Sequence, residues 1–184
     1  MLFRSSFRKN PRRGQLQVFE AIDATKRTLN AKLPTGYGKT YTACCVYSLL
    51  KNEGRVNRFL AIFPTTAQLE QFLKDGANDL ADAGVDGTDL RPVDVSFFGT
   101  KAILMHKKDQ RQVFAITVQS LRERRGRDIV KEMMASGRWF GWPDECHHYG
   151  DGKSWADAIR ALHIDFLLST SATPYRKEGD GIFG

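Results

Sequence analysis

At 184 residues, with 41% apolar and 27% charged residues, the chain is long enough for a full hydrophobic core and has the make-up of a globular domain. No apolar run approaches the roughly 20 residues needed to span a bilayer, which argues against a membrane segment. The three cysteines (Cys44, Cys45 and Cys146) cannot all pair and two are adjacent, which argues against a disulfide framework and for a reducing cytoplasm, while the net charge of +7 favours a polyanionic partner such as nucleic acid.

The first thirteen residues hold Arg4, Arg8, Lys9, Arg12 and Arg13 and no acid. Residues 1–11 are read as a basic surface arm rather than a transit peptide, because patterned sequence already begins at Arg12. From there Val18, Phe19 and Ile22 fall at helical spacing and place Gln15 near a helix start. An amide there offers the donor–acceptor pair that matches the N6/N7 edge of adenine, although a surface glutamine is the commoner case.

Residues 29–33 read as a strand, and Leu33-Pro34-Thr35-Gly36-Tyr37-Gly38-Lys39-Thr40 follows it into a helix over residues 40–50. The glycines allow positive φ, so successive N–H groups can face a phosphate while the helix aims its positive end at the same place. Lys39 is placed to reach β/γ-phosphates and the Thr40 hydroxyl to join a Mg²⁺ shell, as in a P-loop (Walker A). The usual first glycine of that pattern is replaced by Leu33. Ala43, Cys44, Val46, Tyr47 and Leu50 form the buried side of the helix, and Gly54 ends it.

Phe59-Leu60-Ala61-Ile62-Phe63 is wholly apolar, as expected of a parallel strand covered on both faces. Pro64, Thr65 and Thr66 end it at the edge where open α/β sheets bind ligands, and Leu69 and Phe72 mark the next helix. Residues 75–92 read as a surface connection. Residues 93–98 and 102–104 look strand-like, with a basic loop over 106–111. Residues 113–116 form another buried strand, ended by Thr117, Val118, Gln119 and Ser120. The cluster Arg122, Arg124, Arg125 and Arg127 that follows suits a solvated face or a phosphate-backbone contact. Residues 138–143 lead into Asp144-Glu145, one carboxylate to hold Mg²⁺ and one to activate water. The run Cys146, His147 and His148 does not have the spacing of a zinc site. A helix over 155–162 and a strand over 164–168 close the chain on Ser169-Thr170-Ser171-Ala172-Thr173-Pro174. Strands alternating with helices, several ending in polar clusters, predict an α/β fold with a mostly parallel sheet flanked by helices on both faces.

Six blocks in this order resemble the first RecA-like lobe of superfamily 2 helicases and translocases. They are Arg12 with Gln15; Leu33 to Thr40; Phe63 to Thr66 with Leu69, Gln71 and Phe72; residues 116–121; the DEAH-like Asp144-Glu145-Cys146-His147; and Ser171-Ala172-Thr173. The ending Ser-Ala-Thr-Pro with Tyr175 and Arg176 resembles the branch of type III restriction subunits and XPB-like DNA-repair translocases. It is less similar to DEAD-box RNA helicases or Swi/Snf remodelers.

The resemblance implies a P-loop NTPase lobe over residues 12–184 that uses ATP and Mg²⁺. Arg12, Gln15 and residues Pro34, Thr35, Gly36, Tyr37, Gly38, Lys39 and Thr40 would bind the nucleotide. Thr40 and Asp144 would hold the metal, with Lys39 and Glu145 catalytic. His147, Ser171, Ala172 and Thr173 would couple nucleotide state to a second lobe. Pro64, Thr65, Thr66, Thr117, Gln119 and Arg122 would face nucleic acid, DNA rather than RNA. Two departures carry expectations. Gly141 and Pro143 weaken a ladder and predict a shortened strand before Asp144. The 184 residues contain no second RecA-like lobe, so weak nucleotide binding with little turnover is expected. The competing reading is a non-enzymatic module that binds nucleotide or nucleic acid; a nucleotide kinase is disfavoured by the DEAH-like block.

Overall fold

The computed structural model describes residues 7–23, 25–87, 90–145 and 153–172, the last stretch with side chains from Ala156 onward. Six strands form one sheet in the order β1-β6-β5-β2-β4-β3, and every described pairing is parallel. The strands are β1 (Thr28–Lys32), β2 (Arg58–Phe63), β3 (Val93–Asp94), β4 (Val113–Thr117), β5 (Trp139–Pro143) and β6 (Phe166–Ser171). Between them run α1 (Arg13–Glu20), α2 (Lys39–Asn52), α3 (Thr66–Asp82), α4 (Val95–Phe98), α5 (Thr100–Lys107), α6 (Val118–Arg122), α7 (Arg124–Met134) and α8 (Lys153–Arg160).

The apolar runs are buried on both faces because successive side chains point to opposite sides of the sheet. On β2, Phe59, Ala61 and Phe63 join one core with α1, α2 and α3, whereas Leu60 and Ile62 join a second core with α5, α6, α7 and α8. β4 divides the same way, with Val113 and Ala115 on the first side and Phe114 and Ile116 on the second. Parallel strands all exit at one edge, so the loop after β1, the turn after β2, α6, residues 144–145 and residues 171–172 gather there. No helix among the described residues is long and apolar enough to cross a membrane.

Three local expectations are corrected. The helix after β2 continues to Asp82 instead of ending in a surface connection. Its apolar series Leu69, Phe72 and Leu80 is carried through Gly76, where a Cβ would lie 2.9 Å from the Phe72 ring; this glycine is a packing contact rather than a breaker. Of residues 93–104, only Val93–Asp94 is strand, because Asp94 accepts from the amides of Ser96 and Phe97 (2.8 and 3.2 Å) and turns the chain into helix. The basic loop proposed over 106–111 begins with a buried residue: His106 lies in the last turn of α5 and packs against Trp139.

The strand before Asp144 is also not shortened. β5 runs through Gly141 to Pro143, and the ladder to β2 ends with the Asp144 amide donating to the Ile62 carbonyl at 3.0 Å. The neighbouring position, Pro143, faces its missing donor toward β6, and the pairing of β5 with β6 lapses there before resuming at the Asp144–Thr170 bridge.

Candidate functional site

The loop after β1 is anchored at both ends. Leu33 is buried and donates its amide to the Ser171 carbonyl (3.0 Å), so the position that departs from the usual glycine belongs to the core. Gly36 and Gly38 take φ of 75° and 82°, the left-handed conformation that lets the backbone curl. Gly38 caps the N-terminus of α2 without a side chain to occupy its first amides, which leaves the positive end of the helix facing the loop.

Gln15 holds this loop in shape. It is 3% exposed, its Oε1 accepts from the Arg12 amide (2.8 Å), and its Nε2 donates toward the carbonyls of Tyr37 and Gly38 and the Thr42 hydroxyl (3.3, 3.3 and 3.0 Å). The amide is therefore committed to backbone, not displayed on the surface as the commoner reading of a helix-start glutamine supposes. Arg12 stacks its guanidinium over the Tyr37 ring, 5.3 Å from the centroid, and donates to the Gly36 carbonyl. These residues line a cavity of about 270 Å³ with Lys9, Asn10 and Tyr41. The latter three carried no site signal in the sequence, because only packing of the basic arm against Tyr41 of α2 and the end of α3 brings them together beside the loop. That packing is specific: Lys9 pairs with Asp82 (2.5 Å), and the Tyr41 hydroxyl donates to the Lys9 carbonyl.

Across the loop, Lys39 Nζ forms an ion pair with Glu145 Oε1, both side chains being nearly enclosed. Glu145 adopts φ of 48°, a conformation that costs a non-glycine residue about 1–3 kcal/mol and is typical of functional sites. Asp144 is buried at the end of β5. The Thr170 hydroxyl donates to Asp144 Oδ1 (3.0 Å), and the Trp142 indole N–H donates to Thr170 Oγ1 (2.9 Å). An indole can only donate, so the threonine must accept from it and pass its own proton to the carboxylate. Thr170 and Trp142 thus orient Asp144. Sequence reasoning missed both, since nothing in a local pattern shows that adjacent strands pair these side chains.

Asp144 and Thr40 share a cavity of about 190 Å³ with Gln68, Gln71 and Asp75. A carboxylate and a hydroxyl are hard oxygen donors suited to Mg²⁺, which takes few protein ligands and completes its shell with water and phosphate oxygens. Among the described residues, no cluster of three or more His, Cys, Asp or Glu is placed to hold a metal ion.

Along the same sheet edge, Thr65 caps α3 by accepting from the Gln68 amide (3.3 Å), and Thr117 caps α6 by accepting from the Ser120 amide (3.2 Å). Pro64 is half-buried; Thr66, Gln119 and Arg122 are exposed. Ser171 is buried in β6 and Ala172 half-buried beyond it. His147, Thr173, the cysteine and histidine at 146 and 148, and everything from Pro174 onward lie outside the described residues.

The sequence matches the model of a family described as type III restriction enzyme, res subunit, over residues 8–176. No curated protein matches it. Among solved structures, the UvsW helicase from bacteriophage T4 is similar with a TM-score of 0.60 at 20% identity, over 90% of this chain and 54% of that one. A Sulfolobus solfataricus SWI2/SNF2 ATPase core in complex with dsDNA gives 0.66 at 19% identity, over 95% of this chain and 34% of the other. A nuclease-deletion mutant of the Type ISP restriction-modification enzyme LlaGI, in complex with a DNA substrate mimic, gives 0.62 at 16%, over 96% and 19%. These likenesses establish a RecA-like fold. The chain spans about half the length of the first of these structures and less of the others.

Proposed function

The chain belongs to the family of the type III restriction enzyme res subunit, and we propose that it is the ATP-binding lobe of an ATP-dependent superfamily 2 helicase or translocase that acts on nucleic acid, DNA rather than RNA. The observation that carries this reading is the convergence of Lys39 and Thr40 from the start of α2 with Asp144 and Glu145 from the end of β5 at one sheet edge.

In this reading bound Mg²⁺–ATP supplies the phosphoanhydride and neutralises its charge. The chain's own residues do the rest. The amides of Gly36 to Thr40 would cradle phosphate oxygens, Lys39 would exchange Glu145 for phosphate, and Thr40 and Asp144 would hold the cation, with Thr170 fixing the carboxylate. Glu145, released from Lys39, orients the attacking water and accepts its proton. The cavity beside Gln15, Tyr37 and Tyr41 takes the nucleobase, with the two tyrosines as flat apolar walls. His147, Ser171, Ala172 and Thr173 pass nucleotide state to a second RecA-like lobe in the longer protein. Thr66, Gln119, Arg122 and the backbone at Pro64, Thr65 and Thr117 contact the nucleic-acid backbone.

Phosphoryl transfer depends on charge stabilisation, and an arginine finger from a second lobe is worth about 10³–10⁵ in rate. These 184 residues therefore bind ATP–Mg²⁺ weakly and turn it over little. Calorimetry with Mg²⁺ and a non-hydrolysable ATP analogue tests the reading. Binding that K39A abolishes supports it, and equal affinity in the two proteins rejects the assignment of the loop. Hydrolysis at the rate of a complete helicase would reject the dependence on a second lobe.

A further inference from the structure

Among the described residues, one aromatic side chain stands largely in solvent. Phe97 is 80% exposed, on the short helix α4 that leaves β3. Its neighbour Phe98 meets it edge-on at 5.1 Å and packs into the second core, so the ring stands on a firm base. Asp94 fixes the turn beneath by accepting from the amides of Ser96 and Phe97.

The strand register shows what the ring faces. Phe63 of β2 lies level with Thr117 of β4, and Asp94 of β3 lies level with Ala115 of β4. The exits of β2, β4 and β3 therefore stand side by side in that order, and α4 extends the line of Thr65, Thr66 and Thr117 outward by one strand. Arg125 lies against the same turn, its Nη2 3.5 Å from where a Cβ on Gly99 would sit. Arg125 also lines, with Ser96, Ser120 and Glu123, a cavity of about 130 Å³ under α4. Residues 122–125 hold three arginines, Arg122, Arg124 and Arg125, against the single acid Glu123, and all four are exposed. A flat exposed ring beside clustered guanidinium groups is the pairing that single-stranded nucleic acid uses, a base on the ring and phosphate on the cations.

We infer that Phe97 is a stacking platform for an unpaired base of the nucleic-acid strand, with Arg125 holding a phosphate beside it. This rests on the nucleic-acid reading above and adds contact with a base to a track otherwise made of backbone contacts. It gives the lobe a preference for single-stranded over duplex segments at the β3 end of the sheet.

Fluorescence anisotropy with a labelled single-stranded DNA oligonucleotide and the matching duplex, titrated at several salt concentrations, tests it. F97A weakens single-strand binding by about 5- to 150-fold, the range expected for one stacked base, and leaves the salt dependence unchanged because no charge is lost. F97W restores binding. R125Q lowers the slope of log K against log salt by about 0.7, one phosphate contact on a single strand. If the unaltered chain binds the oligonucleotide and F97A binds as well, the platform is refuted while the nucleic-acid reading stands. Equal loss in F97A and F97W, or a shift of F97A from dimer to monomer in sedimentation without loss of binding, also refutes it, the latter making Phe97 a contact between copies. If the unaltered chain binds neither oligonucleotide, the nucleic-acid reading itself fails.

Discussion

Glu145 and Lys39 form an ion pair that a phosphate must displace, so removing the carboxylate charge should make nucleotide binding tighter rather than weaker. The two side chains are 11% and 14% exposed, and their contact is little screened by water. A charge-assisted hydrogen bond of this kind contributes about 1.5–3 kcal/mol. In E145Q the amide oxygen still accepts from the ammonium, but the attraction between opposite charges is gone, and we take its loss as about half of the contribution. Lys39 is then released to phosphate at a cost lower by about 0.8–1.5 kcal/mol, roughly a 4- to 12-fold gain in affinity. The assay is titration calorimetry of Mg²⁺–ADP into both proteins, with circular dichroism confirming the fold. ADP is the critical ligand, because it lacks the γ-phosphate whose repulsion by Glu145 would add to any gain seen with ATP. Affinity for ADP that is equal or lower in folded E145Q would refute the reasoning and mean that the pair does not oppose binding.

Two other substitutions separate roles that the structure links. T170V keeps the shape of the side chain but strips the Trp142 indole of its acceptor and Asp144 of a donor; it should lower stability by about 1–3 kcal/mol in urea denaturation and raise the Mg²⁺ needed for nucleotide binding about 10-fold. Unchanged Mg²⁺ dependence would mean that Thr170 only packs. Q15A removes the partner of the Arg12 amide and of the Tyr37 carbonyl, and a donor to the Thr42 hydroxyl. It should weaken ATP and GTP analogues alike if Gln15 works by holding the loop, and ATP selectively if it reads adenine; competition binding distinguishes the two.

His106 gives a pH dependence of defined sign. Its Nδ1 accepts from Arg58 Nε (3.1 Å), so Nε2 carries the proton and donates to the Ser136 hydroxyl (2.9 Å). Burial, then the Arg58 charge, lowers its pKa from 6.5. The unfolded chain therefore binds the proton first as pH falls, and the stability from the neutral ring, complete above about pH 6.5, is lost through the lower folded pKa. The urea midpoint of H106Q should fall less than that of the unaltered chain between about pH 7.5 and pH 5. Parallel curves would show that His106 is not the titrating group.

Local chemistry made much of this protein legible. A run such as Phe59 to Phe63 must be covered on both faces, and Gly36-Tyr37-Gly38-Lys39-Thr40 between strand and helix has a backbone that curls around an anion, whatever surrounds it. The α/β class, the parallel sheet and the gathering of polar strand ends at one edge all follow from such short-range patterns. The misread elements were those in which a neighbour overrides a residue's own preference: Gly76 sits in a helix because Phe72 needs its space, and residues 95–104 are helical despite their β-branched and aromatic residues because Asp94 caps a turn. What only the tertiary structure decided is who touches whom. Lys39 and Glu145 are 106 positions apart, Asp144 and Thr170 26, and Gln15 and Tyr37 22. No periodicity reports such distances, because a pairing across the sheet is set by register and strand order, which exist only once the whole chain has packed.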